Sequence, residues 1–166
     1  MNALKLNREF LTRHLAVCIL MFGIGCWFGY DGFVTYPKTP AAELYRSIEK
    51  SDAPEGFPLE AFKRQKIQSQ HGFMAMCLAA SALIGIHLLY VGLFRFDWDE
   101  NSFVWNGKKH PISDIKKVDR AKWKKQGIVT VELGDRTRIK LDAWHHEGVK
   151  AFEKLLPASA DDEKMV

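Results

Sequence analysis

The chain lacks the short motifs that usually mark enzyme chemistry. It has no glycine-rich phosphate loop, no Gly-x-Ser-x-Gly elbow, no paired-cysteine motif and no His-Glu-x-x-His zinc motif. Its three cysteines all lie in apolar runs, and an odd number in such places does not make a disulfide framework. These absences argue against an enzyme, and we predict neither a metal nor a cofactor.

Charge is missing from two long stretches. Residues 15 to 30 and 72 to 94 contain no Asp, Glu, Lys or Arg, although these make up 27% of the chain. A bilayer core of about 30 Å needs about 20 helical residues, and aromatic rings such as Trp27, Tyr30 and Tyr90 favour its interfaces. We therefore predict a basic flank (1–14), a first transmembrane helix (15–34), a loop (35–71) and a second transmembrane helix (72–94).

The first apolar stretch has two alternative interpretations as a signal sequence. Basic residues precede it, but no small-x-small cleavage site follows it. A lipoprotein signal ending at Cys26 is the other alternative, and Gly23, three positions earlier, matches such a signal poorly. We interpret the segment as an uncleaved helix.

Small residues predict where the two helices pack against each other. Gly25 and Gly29 are four apart on the first helix, and Ala75 and Ala79 are four apart on the second. Small residues let helix backbones approach closely in lipid. In an antiparallel hairpin we expect Gly29 at the depth of Ala75, and Gly25 at the depth of Ala79.

Basic residues predict the orientation. Two spans place both termini on one side, where Lys5, Arg8 and Arg13 precede the first span and a basic run follows the second. The loop carries six Lys or Arg with five acids. By the positive-inside rule, we predict an integral membrane protein with both termini cytoplasmic. Within the loop, Thr39 is expected to cap a short helix reaching about Lys50, and nothing breaks a second helix from Leu59 into the second span.

The C-terminal part, residues 95 to 157, has the pattern of short strands. Turns at Glu100-Asn101 and Asn106-Gly107 would bound a strand over Ser102–Trp105. This register sets Trp98 opposite Phe103 and Phe96 opposite Trp105.

A second hairpin has a register that burial decides. A three-residue loop pairs Val131 with Ile139 and Val129 with Leu141, and it places Glu132 opposite Arg138; a slip of one residue would exchange the faces. Asp142 is then expected to cap a last helix over 143 to 156, followed by a polar tail (158–166).

These features together define a fold class: a membrane α-helical hairpin plus a small α+β domain. A curved antiparallel sheet of about five strands closed by a C-terminal helix resembles the bacterial pleckstrin-homology-like (PH-like) domains that follow a pair of membrane helices. The shared cues are the acid-rich turn, the Asn106-Gly107 turn and Ser113-Asp114-Ile115, within FDWDENSFVWNGKKHPISDIKKVDR and the later AWHHEGVKAFEKLL. The resemblance implies a protein or lipid docking module, and hence an accessory or scaffold protein of a bacterial inner membrane.

A basic run supplies the candidate docking surface. Residues 108 to 125 contain eight Lys or Arg against Asp114 and Asp119, and each cation near an anionic leaflet contributes about 1 kcal/mol. We expect membrane lipids and a protein partner or second copy as partners, and not nucleic acid, since no motif accompanies the charge. The predicted docking residues are Lys116, Lys117, Arg120, Lys122, Lys124 and Lys125.

Polar groups near the spans leave an alternative open. His87 lies inside the second span, where an ionisable residue is a functional hypothesis by default; with His14 it could ligate haem, although a hydrogen bond across the hairpin is the favoured interpretation. Asp31 could bind an ion or relay protons, and is expected to contact headgroups or Lys38. The alternative function is a subunit of a membrane enzyme or transporter complex that uses His87 or Asp31.

The run His145-His146-Glu147 has the composition of a metal site. Neighbouring helical residues point about 100° apart and cannot converge on one ion. We therefore predict no metal there.

Overall fold

The computed structural model describes residues 1 to 157, so the predicted tail (158–166) lies outside the described residues. Contacts divide the chain into two units. We call Arg13–Leu88 the helical unit, and Met1–Thr12 together with the chain from Leu89 onward the sheet unit. The N-terminal residues, interpreted from the sequence as a flank, thus group with the C-terminal strands.

Two helices dominate the chain. A π-helical segment, Asp31–Thr35, joins the first helix to a short second one, so the helical run extends from Arg8 to Lys38. The long fourth helix is unbroken, as the lack of a breaker after Leu59 predicted. Both runs are long enough and apolar enough to cross a membrane. The helices are α1 (Arg8–Tyr30), α2 (Tyr36–Lys38), α3 (Ala41–Glu49), α4 (Leu59–Leu93), α5 (Trp123–Gln126) and α6 (Val149–Glu153).

The expected cap of α3 is wrong. Pro40 occupies the N-cap position, and no side chain caps the helix. The Thr39 hydroxyl instead donates a 2.8 Å hydrogen bond to the carbonyl of Thr35. The side chain therefore satisfies the end of the preceding helical run rather than the start of the next.

The strands form three antiparallel sheets rather than one sheet of about five strands. Their orders are β1-β3-β4-β5, β6-β7-β8 and β2-β9. The strands are β1 (Asn2–Ala3), β2 (Lys5–Leu6), β3 (Phe96–Trp98), β4 (Ser102–Trp105), β5 (Lys108–Pro111), β6 (Ile115–Asp119), β7 (Ile128–Leu133), β8 (Arg138–Asp142) and β9 (His146–Glu147).

Both predicted hairpin registers are confirmed. Trp98 pairs with Phe103 and Phe96 with Trp105 in β3 and β4. In β7 and β8, Val131 pairs with Ile139, Val129 with Leu141 and Glu132 with Arg138. The alternation of apolar and charged residues fixed this choice, because the other register would bury three cations.

One core lies within the sheet unit. Phe152 of α6 packs edge-on against Phe96, at 4.8 Å between ring centroids, and also against Phe103, at 6.0 Å, while Phe96 and Phe103 stack on each other at 5.3 Å. The two larger sheets and α6 contribute to this cluster, which comprises Phe96, Trp98, Phe103, Ile115, Val118, Val129, Val131, Leu133, Ile139, Leu141, Val149, Phe152 and Leu156.

The expected last helix over 143 to 156 is wrong in extent. Asp142 accepts a 2.9 Å hydrogen bond from the Trp144 backbone N–H, which makes a turn rather than a helix cap. His146 and Glu147 then pair with β2. Gly148 follows at φ 97°, where an added Cβ would lie 2.9 Å from Trp98, so helix begins only at Val149.

Candidate functional site

The contact face between α1 and α4 in the helical unit, here called the seam, follows a regular spacing. Its less exposed positions recur every three or four residues, the spacing of left-handed helix pairs. They include His14, Cys18, Met21, Gly25, Phe28 and Gly32 on α1 with its π-helical extension, and His71, Met74, Leu78, Ser81, Gly85 and Leu88 on α4.

The predicted packing residues have different places in the seam. A Cβ added at Gly25 would lie 2.9 Å from Leu78 Cδ2, and one at Gly29 would lie 2.9 Å from Met74 Sδ. Both glycines therefore allow close approach of α4. Ala75 and Ala79 are exposed, so the residues that meet the glycines are one position away from those expected.

A reciprocal polar contact crosses the seam. The Ser81 hydroxyl donates to the Cys18 carbonyl at 3.1 Å, and the Cys18 thiol lies 3.4 Å from the Ser81 carbonyl. The thiol also lies 3.3 Å from the Ser81 hydroxyl, so the two side chains and their carbonyl groups form one polar contact between the helices. In lipid such an interhelical contact stabilises a pair by roughly 0.6 kcal/mol.

The polar residues weighed for cofactor or ion handling lie near the two ends of this seam. The rings of His14 and His87 have centroids 6.4 Å apart and are tilted by 53°. Asp31 accepts a 2.9 Å hydrogen bond from the Trp27 indole, a partner one helical turn away rather than the expected Lys38. Asp31 is thereby held locally at the start of the π-helical segment.

A buried polar group lies beside the π-helical segment. The His71 ring stacks on Phe33 at 4.3 Å between centroids and covers Gly32, whose added Cβ would lie 2.7 Å from it. Within residues 1 to 157, His71 Nε2 and Gln70 Oε1 are buried atoms with no hydrogen-bond partner. Sequence reasoning missed this pair, because no local pattern marks it.

The structure divides the predicted docking residues among three environments, and Arg120 occupies the first. Its Nε donates to Glu153 Oε1 at 2.8 Å, and its Nη1 donates to the Pro157 carbonyl at 3.0 Å. Its side chain is only 15% exposed. Arg120 therefore holds α6 and the residues after it against the strands, and it does not face outward like the lysines.

Lys116 and Lys117 occupy the second environment, on β6. A register shift between Ile115 and Lys117 leaves two consecutive lysines exposed, as a β-bulge does. Lys117 lies opposite Glu132, which pairs in turn with Arg138 through a 2.9 Å hydrogen bond. This face of the sheet therefore mixes both signs of charge.

The third environment is the short helix α5. Lys122 at its N-cap and Lys124 and Lys125 within it are all exposed. Gly127 ends the helix at φ 68°, and its carbonyl accepts a 3.0 Å hydrogen bond from the Ala143 N–H. These lysines therefore lie beside the segment that contains Trp144, which is 40% exposed.

The His145-His146-Glu147 run separates in the structure. His145 Nδ1 lies 3.6 Å from Asp142, the His146 ring is buried, with Nε2 3.1 Å from the Val91 carbonyl, and Glu147 lies opposite Lys5. Burial lowers the pKa of His146, opposed by the Val91 hydrogen bond and the charge of Asp142. Among residues 1 to 157, no group of three His, Cys, Asp or Glu side chains could hold a metal ion.

Comparison with models of protein families, with curated proteins and with solved structures gave no match.

Proposed function

We propose that this chain is an integral membrane protein that spans the bilayer twice and carries a non-catalytic docking module. Large apolar side chains stay exposed on both long helices, including Ile19 at 62%, Leu20 at 61% and Leu83 at 68%. In the most apolar stretch of 18 residues in each long helix, at most 17% is buried. The core helix of a soluble protein would be mostly buried. An apolar surface of this extent calls for lipid.

The pairing of the N-terminal arm (Met1–Leu6) is the observation that carries the proposal. β1 pairs with β3, and β2 pairs with β9, so residues before the first helix lie on the same side of the bilayer as residues after the second. Two spans meet that condition, and one span does not. Cleavage of the first helix as a signal would also remove both strands.

We also propose in which membrane the protein lies and on which side of it the two termini are found. Basic residues near the span ends favour the cytoplasm, and the arm, the start of α1 and the α5 lysines all belong to the sheet unit. We propose a bacterial inner membrane with both termini cytoplasmic. The loop between the helices then faces the other side.

The sheet unit is proposed to act as a PH-like docking module in an accessory or scaffold protein. Antiparallel strands followed by a short helix whose Val149 and Phe152 enter the core support the resemblance. The proposed partners are membrane lipids, together with a protein or a second copy of the chain.

A second candidate function rests on the His14–His87 contact. Two histidine rings 6.4 Å apart within apolar helices would suit a subunit of a membrane enzyme or transporter complex, with Asp31 as a further polar group. Haem bound between them would give a Soret absorption band. This second candidate would be supported by a visible chromophore in the purified protein, or by a loss of activity of the host complex in His87→Leu.

Topology is tested first with two matched cysteine variants, Ser51→Cys in the loop and Glu100→Cys in the β3–β4 turn, both at exposed positions. The native cysteines are replaced by alanine in both variants. We expect a membrane-impermeant maleimide to label Ser51→Cys in spheroplasts, and Glu100→Cys only after lysis. The reverse pattern overturns the orientation, and extraction of the chain by alkaline carbonate overturns the two spans.

Function is then tested by purifying the full chain from native membranes in mild detergent. A stoichiometric protein partner with a blank visible spectrum supports the accessory function. A Soret band that disappears in His87→Leu overturns it in favour of the second candidate.

A further inference from the structure

The α5 helix and the Trp144 segment form one continuous surface of the sheet unit. The 3.0 Å hydrogen bond from Ala143 to Gly127 joins them, and an added Cβ on Gly127 would lie 3.2 Å from Ala143 Cβ. The segment that carries the three lysines, Lys122 at the N-cap of α5 with Lys124 and Lys125 in it, is therefore adjacent to the segment that carries Trp144. We call Lys122, Lys124, Lys125 and Trp144 the basic edge.

The basic edge lies where the long helices begin and end. The Asn7 N–H donates to the His145 carbonyl at 2.9 Å, and Phe10 contacts the Trp144 ring edge-on at 6.4 Å between centroids. On the other side, His146 contacts the Val91 carbonyl near the end of α4. The segment next to the lysines is thus packed against the first turn of α1 and the last turn of α4.

The same end of α4 carries an apolar surface. Leu89, Tyr90 and Leu93 are 67%, 75% and 74% exposed, and all three belong to the sheet unit. If α4 spans the bilayer, these side chains meet lipid, and the headgroup layer lies at the level of the helix ends. Exposed lysines and a half-exposed tryptophan at that level have the composition of an interfacial contact.

We propose that the basic edge binds the anionic phospholipid headgroups of the leaflet at which α1 begins and α4 ends. This proposal rests on the two spans proposed above. Lysines supply the attraction to the phosphate-rich surface, and the Trp144 ring lies at the boundary between headgroups and acyl chains. The contact fixes the sheet unit against the membrane instead of leaving it on a free tether.

The other half of the basic run does not take part. Lys116 and Lys117 lie near the far end of β7, because Ile115 pairs with Leu133 while α5 precedes Ile128. Five residues of strand separate these ends by roughly 16 Å, which is more than a Debye length. The neighbouring Glu132 also offsets the charge of Lys117.

This separation supplies matched variants for the test. Lys124→Gln/Lys125→Gln and Lys116→Gln/Lys117→Gln each remove two adjacent exposed lysines and the same total charge. The full chain is placed in nanodiscs of phosphatidylcholine, or of phosphatidylcholine mixed with phosphatidylglycerol. The readout is the quenching of Trp144 fluorescence by lipids brominated near the headgroup, taken as the difference from Trp144→Phe.

We expect stronger quenching of Trp144 in the anionic nanodiscs, weakened by added salt. At about 1 kcal/mol, or roughly fivefold, per lysine, Lys124→Gln/Lys125→Gln should lower the ratio of bound to unbound states about 25-fold. Lys116→Gln/Lys117→Gln should leave quenching unchanged. Equal quenching in both lipid mixtures, or equal loss in both variants, overturns the proposal and favours a protein partner. Failure of the chain to enter nanodiscs at all is a failure of the two-span proposal instead.

Discussion

Replacing Arg120 by alanine should destabilise the sheet unit rather than weaken docking. The guanidinium bonds Glu153 and two carbonyl groups, those of Pro157 at 3.0 Å and Leu156 at 3.4 Å. These contacts hold α6, whose Phe152 is fully buried in the core. Loss of Arg120 removes the link between α6 and the residue that follows β6, and it leaves the Glu153 carboxylate, 17% exposed, without this cation.

The magnitude follows from this geometry. A hydrogen bond to a charged group contributes about 1.5–3 kcal/mol, and removing one partner of a buried pair costs about 3–5 kcal/mol. The pair is not fully buried, and the contact to Leu156 is long, so we expect Arg120→Ala to lower the free energy of unfolding by about 2–4 kcal/mol. Glu153→Gln keeps an acceptor and should cost less.

The assay is urea unfolding of the full chain in mild detergent, followed by tryptophan fluorescence. Lys117→Ala is the control, since this exposed residue lies in β6, which ends just before Arg120, and its loss should change stability by at most about 0.5 kcal/mol. If Arg120→Ala is as stable as Lys117→Ala, the contacts of Arg120 with Glu153 and the two carbonyl groups do not stabilise the fold. Arg120 would then be open again to a docking function.

Two further predictions concern the seam and His146. Gly25→Val should destabilise the helix pair by about 1–3 kcal/mol in detergent unfolding, because a Cβ there would meet Leu78 at 2.9 Å, whereas a Cβ at Gly23 would meet nothing within 4 Å. Equal effects of Gly25→Val and Gly23→Val would contradict the seam. Because burial lowers the pKa of His146 in the folded protein, the unfolded chain binds the proton more readily. The contribution of neutral His146 to the free energy of unfolding is therefore complete above about pH 6.5, and it is lost as the pH falls through the lowered pKa of the folded protein. His146→Gln should make the free energy of unfolding depend less on pH between pH 5 and 8, roughly the range in which histidine titrates. If the pH dependence of stability is unchanged in this variant, another group causes it.

Local sequence patterns predicted the parts of the fold that local physics decides. The registers of β3–β4 and β7–β8 follow from alternation, because slipping Val131 by one residue from Ile139 would bring charged side chains into the core. The unbroken α4 followed from the lack of Pro or a helix-ending turn between Leu59 and Leu93. In each case the decisive residues lie within one element or one hairpin.

Two of the errors arose where the partner is distant in sequence. His146 and Glu147 follow a helix-like pattern, but they pair with Lys5 and Leu6, about 140 residues away. The two-residue strands of the arm are too short to have a period of their own. Arg120 is likewise indistinguishable from its basic neighbours until Glu153 is placed beside it.

The basic run shows why charge density along a sequence differs from charge density on a surface. A bulge leaves Lys116 and Lys117 exposed, with Lys117 opposite Glu132, and Arg120 turns inward to Glu153. The α5 lysines precede Gly127, which is hydrogen-bonded to the segment that carries Trp144. A variant that reverses all these charges at once would combine a folding defect with any docking defect. If that variant failed to bind the membrane, the result would not identify the lipid contact, because losing the contacts of Arg120 would by itself destabilise the fold. Only substitutions confined to one environment separate the attraction of the basic edge for lipid from the stability of the fold that presents it.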